Sequence, residues 1–427
     1  MTIIIITIFI VGYGFIAVEN SIKINKAASA LLTGVLCWMV YILFAPDKLL
    51  VAGELTGHLG ELSGILFFLL GAMTIVELID AHDGFEIITN RIDQTDKRKL
   101  LWIVAFITFF LSAVLDNLTT TIVVISLLRK LIRDDKDRMF FAGIVVLAAN
   151  AGGTWSPIGD VTTTMLWIGG QITAGKIILK LILPGLMSLV VPLIYLTFKL
   201  KGKVQRPVAL VSETNQTLST KHQSIVFFSG IIILLLVPVF KVITHLPPYM
   251  GILLGLALLW IITAVMHSKK EEQHKRKLSV GNALRKIDIQ SILFFLGILL
   301  SVAALQSVGT LFNLAQWLTI SVHNNNIVVM SVGLLSSVID NVPLVAAVQG
   351  MYSLDQFPTD HYFWEFLAYC AGTGGSILII GSAAGIAAMG IEKITFFWYL
   401  RKISLLALLG FFAGALTYIL QNQRLFL

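Results

Sequence analysis

Long apolar runs, separated by short polar stretches that are mostly basic, make up nearly the whole chain. About 20 consecutive apolar residues span ~30 Å of hydrocarbon as a helix. On that measure the runs predict helices at about 2–19, 27–45, 59–80, 139–170, 178–200, 223–243, 250–267, 289–306, 362–391 and 395–420. Two further runs, 101–128 and 325–353, are each interrupted near the middle by an Asp-Asn pair. The interruptions are related: Ser112-Ala-Val-Leu-Asp116-Asn117 recurs 224 positions later as Ser336-Ser-Val-Ile-Asp340-Asn341. A carboxylate inside a bilayer costs ~2.5–3.5 kcal/mol on insertion scales, so it marks an ion or proton site by default.

The polar stretches report orientation. If the loop holding Lys23 and Lys26 is cytoplasmic and both interrupted runs enter and leave on one side, 26 of the 31 Lys and Arg residues fall on the cytoplasmic face. Among them are the clusters around Arg91–Lys99, Arg129–Arg138, Lys199–Lys221, Lys269–Lys286 and Lys393–Lys402, and only Lys48, Lys176, Lys180, Lys241 and Arg424 are left outside. That is the positive-inside bias. Threading either interrupted run straight through inverts the map and spoils it, so both read as re-entrant hairpins, the first from the cytoplasm and the second from outside. Other matches keep the same order. Ile65-Leu-Phe-Phe-Leu69 recurs as Ile292-Leu-Phe-Phe-Leu296, and the glycine-broken Gly152-Gly-Thr-Trp-Ser-Pro-Ile-Gly159 as Gly374-Gly-Ser-Ile-Leu-Ile-Ile-Gly381. Offsets of 227, 224 and 222 predict an inverted repeat. Residues 84–99 and 308–323 read as interfacial helices or plain connectors, and the polar loop 203–222 separates the repeats.

Composition agrees. The 427 residues are 57% hydrophobic and only 13% charged, with mean hydropathy +0.88, whereas soluble domains carry about 25% charged residues. The fold class is therefore an all-α polytopic membrane protein of about ten transmembrane helices, two opposed re-entrant hairpins and two broken helices. The net charge of +7 resides in loops and gives no reason to expect nucleic acid. The first apolar run lacks a basic leader and a small-residue cleavage site and is expected to be a retained helix. Cys37 and Cys370 lie far apart inside predicted spans and read as packed thiols.

Unwound backbone and hairpin tips survive in lipid only where they line a cavity or bind something. The first broken span offers Asn150, Thr154, Ser156, Asp160, Thr162 and Thr163, and the first tip offers Asp116, Asn117 and Thr120. The second repeat supplies Ser336, Asp340 and Asn341 at its tip and Ser376 along its break, with Ser382 where the first repeat has Asp160. These are hard oxygen ligands suited to a small cation, and the acidic weight is in the first half. A carboxylate there holds either a proton or a sodium ion, which is sufficient for exchange. Glu77, Asp80 and His82 at one end of the third span, and His58 and Glu61 at the other, read as a proton path, a pH sensor or solvated charges. Glu54 and Glu365 read as ordinary edge residues. Gly170-Gln-Ile-Thr-Ala-Gly175-Lys176 ends in Ile177 where a phosphate-binding loop needs Ser or Thr, so no nucleotide is expected. No cofactor and no enzymatic constellation is expected either.

The stretches Phe67–Asp80, Asp116-Asn-Leu-Thr-Thr120, Asn150–Thr163 and Asp340-Asn-Val-Pro343 resemble the NhaD-type sodium/proton antiporters, which are related to arsenite permeases and divalent-anion/sodium symporters. The resemblance implies a homodimer in which a transport part moves against a scaffold as an elevator. By that analogy 1–99 and 207–323 form the scaffold, and 100–206 and 324–427 the transport part. It also implies cation and proton roles for Asp116, Asn117, Asn150, Asp160, Thr162, Thr163, Asp340 and Asn341, with sodium at Asp116, Asn117, Asp160, Asp340 and Asn341. The related dicarboxylate symporters carry Ser-Asn-Thr at both tips; Asp in place of each Ser favours a cation over an anion. The expected function is sodium or lithium exchange for protons, exporting sodium by alternating access in a bacterial cytoplasmic membrane. The alternative is an anion or oxyanion permease.

Overall fold

The computed structural model describes residues 1–17, 23–89, 92–206, 220–268, 278–322 and 324–423. Arg91, Arg424, the polar stretch 207–219 and most of the basic cluster at 269–277 lie outside the described residues. Within them the chain is all-helical, apart from one isolated antiparallel bridge between Asp96 and Lys203. Eight helices are long and apolar enough to cross a membrane: Lys26–Phe44, Lys48–Ala81, Lys97–Leu115, Ala174–Lys199, Thr220–Thr244, Pro248–Met266, Ile289–Ser307 and Ser404–Asn422. The protein is a polytopic membrane protein. Its outer faces carry apolar side chains such as Ile3, Leu179 and Phe198, as a surface in contact with hydrocarbon must.

Ten spans were expected, and the differences have local causes. The third helix starts at Lys48, not 59, because Asp47 accepts from Leu49 N (2.9 Å) and Leu50 N (3.1 Å). Glu54, His58 and Glu61, which made its first turns look like a loop, follow an i, i+4, i+7 spacing and form one polar stripe. The stretch 395–420 is divided into Phe396–Lys402 and Ser404–Gln423. The first helix is described over Thr2–Ala17, and the end of the expected span 2–19 lies outside the described residues. The connectors contain a short helix, Glu86–Thr89, and a longer one, Thr310–Ser321. Glu365 is not an edge residue: it is buried and accepts from the Tyr418 hydroxyl at 2.7 Å. Cys37 and Cys370 are buried free thiols.

Each Asp-Asn interruption forms the tip of a helical hairpin. In the first, Lys97–Leu115 and Asn117–Leu131 are joined by Asp116 alone, at φ 76°. Positive φ is strained for a residue with a Cβ. The arms begin and end together: Lys97 pairs with Asp137 at 2.6 Å, Lys97 N donates to Gly202 O, and Arg133 N donates to Gln205 O. In the second, Asn325–Leu335 and Asn341–Met351 meet at Ser336–Asp340. Its ends also share one layer, where Asn325 donates to the Tyr362 hydroxyl at 3.5 Å and the Tyr352 ring packs on Phe363. Helix Ala174–Lys199, ~39 Å long at 1.5 Å per residue, separates the two layers. It begins where Thr173 bonds Asp360 and ends beside Gly202. The hairpins therefore project from opposite ends, and their tips meet in the middle.

The broken spans run antiparallel between these ends. One is Asp135–Gly153 followed by Val161–Ile168, the other Tyr362–Gly374 followed by Ala383–Glu392. At one end Thr359 Oγ1 donates to Gly170 O at 2.7 Å. At the other, buried Glu392 holds Arg129 (2.7 Å) and Arg138 (2.6 Å), and Arg129 also donates to Ile391 O. Removing one partner of a buried pair leaves the other charges uncompensated. Glu392→Gln is therefore expected to destabilise the protein by up to ~3 kcal/mol, discounted because Arg129 is half exposed. Thermal unfolding in detergent measures this; an unchanged midpoint would show that the clamp contributes nothing.

Candidate ion site

Where a helix stops in mid-molecule, its terminal N–H groups have no partner within the helix. Four helices begin at the centre, and each is capped by a side chain. Asp116 accepts from Thr119 N (2.9 Å) and Thr119 Oγ1 (2.8 Å). Asp160 accepts from Thr162 N (3.3 Å), and Thr163 completes the cap by donating to Asp160 O (2.8 Å) and accepting from Asp160 N. Asp340 accepts from Val342 N (3.4 Å), and Ser382 from Gly385 N (3.2 Å). The helix N-termini, each with a partial positive charge, thus face three carboxylates and one hydroxyl.

Cross-links join the tips to the breaks. Asn117 donates to Asn150 Oδ1 (3.1 Å), and Asn150 in turn donates to Ser382 Oγ (3.0 Å). Asn341 donates directly to Asp160 Oδ2 (3.1 Å). The chains of contact differ by one link, because the position equivalent to Asn150 at the 222-residue offset is Gly372. A Cβ at Gly372 would lie 2.5 Å from Thr154 Cγ2 and 3.4 Å from Asp160 Oδ2. Matched close approaches hold each tip. A Cβ at Gly152 would lie 2.1 Å from Phe109 O, and one at Gly374 would lie 1.9 Å from Gly333 O. Ser112 donates to Ala149 O (2.6 Å), and Ser336 to Ala371 O (2.8 Å).

The predicted residues divide into groups. Asn117, Asn150, Asp160 and Asn341 are buried and linked, while Asp116 and Asp340 are half-buried beside them, both within Coulombic range of Asp160. Among the described residues no Lys or Arg forms an ion pair with any of the three carboxylates. Thr120 Oγ1 is fully buried and has no hydrogen-bond partner, while the buried Thr162 hydroxyl stands beside the Asp160 carboxylate. Thr154 and Ser376 donate to Ala151 O and Thr373 O, so their hydroxyls serve the local backbone, and Ser156 accepts from Ile158 N within the break. No cluster of three or more His, Cys, Asp or Glu is placed to hold one metal ion among the described residues. A cation here would be met by one carboxylate together with amide, hydroxyl or carbonyl oxygens.

A cavity of about 20 Å³ lies between Phe68, Met73 and Val76 of helix Lys48–Ala81 and the pair Asp116 and Asp160. That is room for about one water molecule. Met73 and Val76 also wall a second cavity of about 350 Å³, which reaches from Thr119 to Lys26, Glu77, Asp80 and Lys286 at the basic end. There Glu77 pairs with Lys286 at 2.9 Å, and that bond holds the ammonium above the usual lysine range. The remaining candidates are not brought to the site. His58 meets Ser307 (3.2 Å) and Glu61 (3.8 Å) near the other end, while His82 is buried and stacked on His267. Gly372 was missed because a glycine has no chemical signature; only its repeat offset from Asn150 could have found it. Lys26 counted only toward orientation, yet it lines the larger cavity within Coulombic range of Asp340.

Comparison with known proteins places the chain in a family of membrane transporters. A family model described as citrate transporter (CitMHS) matches residues 8–364, and the chain belongs to that family. Among its relatives, sodium/proton antiporter 1 of Arabidopsis thaliana is 49% identical over 414 residues, covering 96% of this chain and 71% of that protein. Sodium/proton antiporter 2 of the same plant is 48% identical, covering 96% and 98%. The Na(+)/H(+) antiporter NhaD of Vibrio cholerae is 29% identical, covering 98% and 91%. The NhaD resemblance drawn from the motifs thus extends over nearly the full length. These relatives are transporters, not enzymes.

A buried hydroxyl without a partner costs ~1–3 kcal/mol. In sodium-free buffer, Thr120→Val is accordingly expected to raise thermal stability by ~1 kcal/mol. Differential scanning fluorimetry in a choline salt tests this, and a loss of stability would mean that the hydroxyl is structurally required.

Proposed function

We propose that the protein is a secondary sodium/proton antiporter, also accepting lithium, that exports sodium by alternating access. The observation that carries this reading is the pairing of Asp160 with Asn341 of the opposite tip, beside Asp116 and Asp340, with no Lys or Arg of the described residues in an ion pair with these carboxylates. Three carboxylates crowded into a poorly solvated centre repel one another unless a proton or a cation sits among them. One site that holds either, but not both, exchanges them. The similarity to proteins named sodium/proton antiporters supports the same reading.

The route is built into the architecture. Opposed hairpins, antiparallel broken spans and matched glycine contacts support an inverted repeat. The basic face is cytoplasmic, so the 350 Å³ cavity is the inward vestibule and Glu77 and Asp80 stand on the proton's way in. The scaffold is 1–99 with 207–323, and the transport part is 100–206 with 324–427, moving as an elevator within a homodimer. The relatives come from a plant and from bacteria, and a bacterial inner membrane is the home proposed for this chain.

The family's description as citrate transporter favours one second reading, an anion permease. Its difficulty is the three carboxylates, which would repel such a substrate. Proteoliposomes with a pH-sensitive dye decide between the two. Sodium or lithium is expected to dissipate an imposed pH gradient with wild type, and Asp116→Asn and Asp160→Asn to reduce this to background. If neither cation moves protons at any pH, while citrate or an oxyanion is taken up by wild type and Asp116→Asn alike, the antiporter reading falls.

A further inference from the structure

At the basic end, away from the ion site, a cavity of about 1050 Å³ opens on the outer surface. It lies between the start of the first broken span, the end of helix Ala174–Lys199 and the helices Phe396–Lys402 and Ser404–Gln423. Four cations line it from three separate segments: Lys136, Lys199, Arg401 and Lys402. All four are exposed, no Asp or Glu lines the cavity, and none of the four is ion-paired among the described residues. Carboxylates at the same end are engaged elsewhere, Asp137 with Lys97 and Glu392 with Arg129 and Arg138. Beyond the cations the wall turns apolar, through Leu196, Leu405, Leu409 and Phe412. Leu405 and Phe412 are exposed, so this wall runs out onto the hydrocarbon-facing surface. Tyr195 and Trp398, residue types that favour the headgroup level, stand at the junction; the Lys199 ammonium lies 3.1 Å from the Tyr195 hydroxyl.

We propose that this cavity binds an anionic phospholipid, with the phosphate among Lys136, Lys199, Arg401 and Lys402 and the acyl chains along Leu405, Leu409 and Phe412. Unpaired cations select a negative headgroup, and basic pockets between membrane helices take such headgroups. The contiguous apolar wall separates a lipid from a free anion, since inorganic phosphate would leave it unfilled. The inference is independent of which ion the protein carries.

The test is native mass spectrometry of the full-length protein, exchanged from vesicles of phosphatidylcholine with added phosphatidylglycerol. A quadruple Gln variant at Lys136, Lys199, Arg401 and Lys402 is compared with a control variant carrying Gln at Arg98, Lys99, Arg133 and Lys201, four exposed cations of the same end outside the cavity. Wild type and control are expected to retain phosphatidylglycerol in preference to phosphatidylcholine. The cavity variant is expected to lose it, at about fivefold in affinity per cation removed. Thermal midpoints with phosphatidylglycerol or inorganic phosphate form the second arm. Equal retention by the cavity variant overturns the proposal, and equal loss by the control reduces it to surface charge. Stabilisation by phosphate alone, matching that by the lipid, identifies a free anion and overturns the lipid assignment.

Discussion

The structure depends on how the chain ends four helices in the middle of a membrane protein. Backbone groups there have no water to bind, so each new helix needs an acceptor for its first N–H groups. Asp116, Asp160, Asp340 and Ser382 supply those acceptors. This local requirement brings Asp116 and Asp340 within Coulombic range of Asp160. The Asp residues that cap the helices are the same ones proposed to hold the transported cation.

Those carboxylates are not equivalent. Both oxygens of Asp116 face Thr119, whereas Asp160 divides its oxygens between its own helix and Asn341 of the opposite hairpin. Asp160 is thus the carboxylate through which the two halves of the chain touch directly. On the other side the amide of Asn150 stands between Asn117 and Ser382, a neutral bridge where its counterpart is Gly372. The two tips are thus held by dissimilar contacts, one through an amide and one directly on a carboxylate.

Much of this was legible because polar residues inside apolar runs are conspicuous. The Asp-Asn interruptions, the glycine-proline break and their near-equal offsets predict the hairpin tips and broken spans that are found. What escaped depends on residues brought together only by folding. Glu392 falls just past the predicted span 362–391 and carries no signal of its own, and its partners Arg129 and Arg138 are more than 250 positions away. His82, read with its neighbours as a proton path, a pH sensor or a solvated charge, is buried against His267, contributed by another helix. The start of the third helix was misjudged because Glu54, His58 and Glu61 weaken its hydropathy without disturbing its periodicity.

That third helix has 34 residues, ~51 Å at the α-helical rise, against ~30 Å of hydrocarbon. A rod of that length cannot stand upright within the apolar slab; it must lean, or project beyond it. Met73 and Val76, which wall both central cavities, ride on this rod. The thickness of the surrounding bilayer therefore bears on the tilt of the very helix that walls the space beside Asp116 and Asp160.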